Sequence, residues 1–376
     1  MAKQASRVLR AWGSRVCARW RALPASWRPC LGILLCFALP LAGLPLAGPP
    51  PDEQWEAITA LATSGALRQI VCVPHPAGRS TLYVVVEHWG VFLSEDGGLS
   101  WQPASRRLPR ERLGQVPAGP LVFAPDDPQV LLVAIASRSS GAYPPLYKSG
   151  DGGRFWNPRR EVGTQVVEAL AASGRGAVYA ASSERLYRST DAGDTWVPAG
   201  SRATASRVLS MAVDAERPLL YLGTADGLWQ TGDYGATWRT DLAGRTVYTI
   251  VAAAADRVYA GADDGLYRSG DQGASWERLP APSPPGPVEA LAVRAGPPDQ
   301  LFVAIRGRPV QYSLDGGATW QSLQRAHLGA PVTALALDPQ APHVLYVGTG
   351  RGLWRCTLPA SAGGGAPQAK VNHGPG

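Results

Sequence analysis

From residue 67 onward the chain alternates short apolar runs with turn residues. One order recurs. A first run (VCVPH, LVFAP, VEALAA, LSMAV, YTIVA, EALAV) is followed by a short polar turn and a second run (LYVVV, VLLVAI, AVYAA, LLYLG, RVYAG, LFVAI). A third, shorter run then ends in an aromatic: Phe92, Tyr147, Tyr187, Trp229 and Tyr267, with Gln311 in the sixth copy. Runs of four to eight residues bounded by Gly, Pro, Asp and Ser read as strands, and near-continuous apolarity suits strands packed on both faces.

Each third run leads into one eight-residue pattern, Ser/Thr-x-Asp-x-Gly-x-x-Trp. It occurs at 94–101, 149–156, 189–196, 231–238, 269–276 and 313–320. The acids are Asp96, Asp151, Asp191, Asp233, Asp271 and Asp315. The tryptophans are Trp101, Trp156, Trp196, Trp238, Trp276 and Trp320, spaced 55, 40, 42, 38 and 44 residues apart. The residue types suit a hairpin turn. The carboxylate accepts bonds from the turn's own N–H groups, the glycine adopts a positive φ, and the indole opens the next strand and packs back over the hairpin. With one carboxylate per copy and no calcium-loop spacing, these acids are structural, and no metal site is expected.

A seventh copy runs through VTALALD (332–338), LYVGT (345–349) and GLWRCT (352–357), then stops without the eight-residue pattern. An orphan strand, QWEAITA (54–60), stands before the first copy. Pairing the orphan with the incomplete copy closes a ring. Residues 52–358 then make seven four-stranded blades of about 44 residues each. The expected fold is all-β, a seven-bladed β-propeller with antiparallel blades. A six-bladed ring with appendages is the alternative.

The eight-residue pattern resembles the Asp-box, or BNR, repeat of β-propellers, and the resemblance spans nearly all of 52–358. Asp-boxes occur in sialidases, xyloglucanases, sortilin-type receptors and photosystem II assembly factors, so the resemblance specifies fold more closely than function. A sialidase implies an Arg-Ile-Pro motif, which is absent; AIRGRP (304–309) departs from it. Xyloglucanase-like enzymes imply an acid pair between two propellers, and one propeller is legible here. In its single-propeller length, export signal and Arg-rich face the chain most resembles the photosystem II stability/assembly factors. That resemblance implies a non-enzymatic scaffold that binds protein segments and needs no cofactor.

Charge sharpens the picture. The chain has 36 Lys+Arg and 29 Asp+Glu, but seven of the bases precede the first acid, Asp52. Residues 52–376 thus balance 29 bases against 29 acids, which removes the argument for nucleic acid. The basic stretch is followed by 17 uncharged residues, LGILLCFALPLAGLPLA (31–47). Positive-then-apolar is the layout of a secretory signal or a signal anchor. Residues 1–50 are therefore read as a basic segment plus signal peptide or anchor, 52–358 as the propeller, and 359–376 as a disordered tail. The protein is expected to be exported and monomeric, either anchored or secreted. Cys72 and Cys356 fall in strand patterns and read as buried thiols, with a disulfide as the alternative.

Strand alternation puts the A–B turns and the boxes at one end of the ring, and the B–C turns and blade-to-blade connections at the other. The box end collects 15 acids against six bases; the other collects 15 bases against seven acids. The candidate binding residues are Arg106, Arg107, Arg110, Arg112, Arg138, Arg159, Arg160, Arg202, Arg207, Arg245, Arg306, Arg308 and Arg325, with Trp89 and Tyr143. Guanidinium forks bind carboxylates in pairs, which points to acidic envelope or membrane protein segments; solvated loop arginines are the plainer reading. The connection 102–120 is the longest between blades and carries four arginines within seven residues. Trp89 and Tyr143 offer rings to a sugar or a peptide, or anchor their loops. As an enzyme the chain lacks the GxSxG, HExxH and Walker patterns. For glycoside hydrolysis the acids on the loop side are Glu87, Glu161, Glu184, Asp226, Asp263 and Asp264. A glycan therefore stays open as an alternative ligand.

Overall fold

The computed structural model describes residues 54–358, except 59–64, 112–113, 137–142, 175, 183–184, 202–205, 215–216, 254–255, 281–284 and 324–327. The expected leader and tail lie outside the described residues. Seven sheets of four antiparallel strands form the body, each in the order A-B-C-D. No α-helix occurs among the described residues.

The ring closes as the sequence pattern requires. Gln54–Ile58 is the outermost strand of blade 7 and pairs antiparallel with Gly352–Thr357, from Gln54 opposite Thr357 to Ile58 opposite Leu353. Only Ile58 of this strand is fully buried. Its Cδ1 lies against the first box, where a Cβ on Gly98 would stand 2.7 Å away. The chain's first strand is thus locked between its last blade and its first.

Burial explains the unbroken apolar runs. The B strands, such as Thr81–Val86 and Val344–Thr349, are buried along nearly their whole length. Seven apolar clusters form, one at each blade-to-blade interface. Tyr83, Val85, Leu131, Val133 and Trp156 fill the one between blades 1 and 2. A tyrosine early in the B run often reaches the next blade. Tyr83 donates to the carbonyl of Gly152 at 3.0 Å, Tyr221 to that of Gln272 at 2.9 Å, and Tyr259 to Asp299 at 2.8 Å. Burial pushes the Tyr83 and Tyr221 phenols up to about 12. Cys72 and Cys356 are both free thiols, and burial pushes the Cys72 thiol up.

All six boxes share one geometry. The opening Ser or Thr hydroxyl donates to its Asp at 2.7–2.8 Å and accepts the N–H of the box glycine. The residue between Asp and Gly also has positive φ, not only the glycine: Gly97, Gly152, Ala192, Tyr234, Gln272 and Gly316. Two consecutive positive φ values make a primed hairpin turn, whose twist matches that of the flanking strands.

A charged, channel-lining ring as the candidate functional site

Every A strand carries an irregularity at its start. The pairing register shifts between its first and third residues in six blades, and between Ala118 and Leu121 in blade 2. A bulge leaves one residue unpaired and re-aims its side chain. The bulged residues are Arg68, Glu168, Leu209, Tyr248, Glu289 and Thr333, with Gly119 and Pro120 in blade 2. All of them line one open channel of about 1140 Å³ at the end opposite the boxes. Glu87, His88, Glu111 and Arg207 join them from the loops.

The ring is stitched from blade to blade. Gln69 exchanges two hydrogen bonds with the backbone of Leu121, both 2.8 Å. The Glu168 carboxylate accepts the Val208 N–H at 2.9 Å. Thr333 donates to the carbonyl of Leu67 at 2.5 Å. Arg306 donates to Glu289 at 2.7 Å, and its guanidinium carbon sits 5.8 Å from the centroid of the Tyr248 ring. Arg68 pairs with Glu87, whose carboxylate is also 3.9 Å from His88 Nε2.

The expected binding residues separate into groups. Arg207 lines the channel, and Arg306 reaches its wall through Glu289. Arg245 is held by Asp264 at 3.0 Å and lies over Tyr267. Arg110 and Arg160 are exposed, and Arg308 is half-buried with a partner of its own. Arg106 and Arg107 lie over the ring of Phe155 in the next blade's box, at 5.1 and 5.8 Å, away from the channel lining. Arg159 is a strut between blades: with Lys148 it grips Asp194, and it donates to the carbonyl of Gly193. Arg112, Arg138, Arg202 and Arg325 lie outside the described residues. Trp89 is 51% exposed, while the Tyr143 hydroxyl donates to the carbonyl of Arg110 at 3.0 Å.

Sequence reasoning missed Arg68, Glu168, Tyr248 and Glu289, because it treated the A runs as uniformly apolar. The available signal was the polar residue one place after the first strand residue, in LRQI, VEAL, VYTI and VEAL. Of the described loop acids named for hydrolysis, Glu87 alone lines the channel, where Glu111 joins it. Asp226 accepts the Thr224 hydroxyl within its own turn, and Asp264 is held by Arg245 and Tyr267. Glu184 lies outside the described residues. The strand-borne acids Glu168 and Glu289 are three blades of seven apart, nearly opposite across the ring. With neighbouring sheets about 10 Å apart, their backbones are separated by roughly 20 Å. Among the described residues no group of three or more His, Cys, Asp or Glu could hold a metal ion.

Six boxes, seven four-stranded blades and a channel lined by bulged inner strands define an Asp-box β-propeller. The BNR/Asp-box repeat model matches residues 311–322. Among solved structures the chain resembles YCF48 from Cyanidioschyzon merolae, at 16% identity over 81% of this chain and 98% of that one, with a TM-score of 0.60. It resembles YCF48 bound to D1 peptide at 16% identity, over 83% and 99% of the two chains, with a TM-score of 0.63. It also resembles the GH74 xyloglucanase from Xanthomonas campestris at 18% identity, with a TM-score of 0.63, over 82% of this chain and 54% of the enzyme. The chain therefore spans about half the length of that enzyme. These likenesses establish the fold. No curated protein matches the chain.

Proposed function

We propose that this propeller is an exported, non-enzymatic scaffold, assembly-factor-like, that binds protein or peptide segments at the loop end around the channel. The observation that carries the reading is the ring itself. Bulges in successive inner strands aim polar and aromatic side chains into an open channel, and the two strand-borne carboxylates are nearly opposite each other, each engaged by its own partner. Such a ring offers fixed, mixed contacts to a chain segment. The similarity to a propeller solved with a bound peptide supports the same reading.

Anisotropy with labelled acidic and basic ten-residue peptides tests binding; saturable binding of the acidic set, weakened by Arg207→Glu, is the expected result. Turnover of a β-glucan or sialoside panel that is lost with Glu289→Gln would instead make the protein a hydrolase. For export, a fusion of residues 1–51 to alkaline phosphatase should be active outside the cytoplasm, and an inactive fusion removes that part of the reading.

A further inference from the structure

The loop end is uneven around its circumference. In blade 1 the B–C hairpin is Glu87-His88-Trp89, and His88 adopts a φ of +66°. A left-handed conformation costs a residue other than glycine about 1–2 kcal/mol, and such strain clusters where structure is held for function. Blade 6 has Gly307 in a comparable B–C turn, at a φ of +74°. The turn therefore does not itself require an imidazole.

The strained hairpin is pinned from outside. Trp89 N–H donates to the carbonyl of Val86 at 3.0 Å, and the His88 carbonyl accepts the Val116 N–H at 2.9 Å. Trp89 forms an isolated parallel bridge with Val116, yet 51% of the residue stays exposed. Val116 ends the long connection between blades 1 and 2. Further up that connection, the carbonyl of Arg110 takes the Tyr143 hydroxyl from blade 2. Two aromatic residues from neighbouring blades therefore fasten the connection at two points.

This sector presents two exposed guanidiniums, Arg110 and Arg160, with Glu111 and Glu161 as their chain neighbours. The Arg110 guanidinium reaches back to the carbonyl of Gly114 at 3.2 Å and remains exposed. Arg160 is exposed as well, and both it and Tyr143 lie close enough to the Tyr147 hydroxyl to act on it electrostatically. The acid nearest Trp89 in the chain, Glu87, is paired with Arg68. Beside the sector the blade 2 bulge presents only Gly119 and Pro120 to the channel, neither of them charged.

We propose that the sector between blades 1 and 2 docks a linear acidic segment carrying an apolar side chain. Trp89 receives the apolar group, and Arg110 and Arg160 receive the carboxylates. Exposed aromatic and arginine side chains are the types that dominate binding energy at interfaces, and guanidinium forks favour carboxylates. The inference rests on the peptide-binding reading above and narrows it to one sector.

The test uses the full chain and a fluorescein-labelled ten-residue Asp/Glu peptide with one central Phe, read by anisotropy. Replacing that Phe by Ala should weaken binding about tenfold. Trp89→Ala should weaken the Phe peptide by a similar factor and make the variant indifferent to the Phe-to-Ala change. Arg110→Glu should weaken both peptides about tenfold, while Arg185→Glu, elsewhere on the same end, should stay within about twofold. Melting temperatures should not separate the variants. If Arg207→Glu abolishes binding while Trp89→Ala and Arg110→Glu leave it unchanged, the peptide sits in the channel; the sector is then wrong and the binding reading survives. If the wild type binds neither peptide, both fall.

Discussion

At the box end six loops repeat the same hydrogen bonds, from hydroxyl to carboxylate at 2.7–2.8 Å and from glycine N–H back to hydroxyl. At the channel end one equivalent bulge carries Arg68, Gly119, Glu168, Leu209, Tyr248, Glu289 and Thr333 in turn. Each end thus repeats one backbone device of its own, with opposite sequence behaviour. A turn that needs positive φ and an internal acceptor restricts its residues. A bulge that projects into solvent restricts only the backbone, so its side chain is left to whatever the channel must contact.

Two tryptophans give the largest test of that contrast. Trp156 starts strand D after the second box, is fully buried, and donates to the carbonyl of Ala104 in the preceding blade at 2.8 Å. Trp156→Ala should cost about 3–5 kcal/mol. Trp89→Ala, at the channel end, should stay within about 0.5 kcal/mol. Guanidinium denaturation checks both. Equal losses would mean that Trp89 is an anchor of the fold.

Acid should separate the two ends next. Hydrogen bonds from the Ser100 hydroxyl and N–H hold the Asp96 carboxyl down to about 2, and the Asp191 and Asp315 carboxyls also lie at about 2. A carboxyl lowered on folding adds stability above its unfolded value, near 4, and that stability is lost as pH falls towards 2. Melting temperature should therefore be flat in this respect above pH 5 and drop between about pH 4 and 2. Asp96→Asn should cost about 1 kcal/mol at pH 7, after allowance for solvent screening, and almost nothing at pH 2. An equal cost at both pH values would show that the carboxylate charge does not matter.

The same contrast explains what was legible in the sequence. The boxes, the B-strand runs and the orphan Gln54–Ile58 are local signals repeated at a fixed period, and they were enough for the blade count and the ring closure. The inward-pointing set was not legible, because a bulge has no residue signature of its own; Glu168 and Glu289 look like isolated polar residues in apolar runs. Sorting loops by end also failed for Arg159. A D strand lies against the next blade's box, so a residue counted with the far end in fact grips Asp194 and Gly193. Arg106 and Arg107 were displaced to Phe155 for the same reason.

The smallest effect comes from positive φ outside glycine. Ala192, inside the third box, has a φ of +54°, and His88 has +66°. Glycine relieves the left-handed cost but adds chain entropy, so Ala192→Gly and His88→Gly should each stabilise by a few tenths to about 1 kcal/mol. The neighbouring Gly193 allows no such exchange, since an added Cβ would stand 2.4 Å from Leu132 Cδ2. The two gains should differ in what they do to function. Ala192→Gly changes only a turn that is architecture, and should leave peptide binding unchanged. His88→Gly loosens the hairpin that presents Trp89, and should weaken binding as it raises the melting temperature. If both variants stabilise and neither affects binding, the strain at His88 has no functional content, and the two ends of the propeller differ in sequence alone.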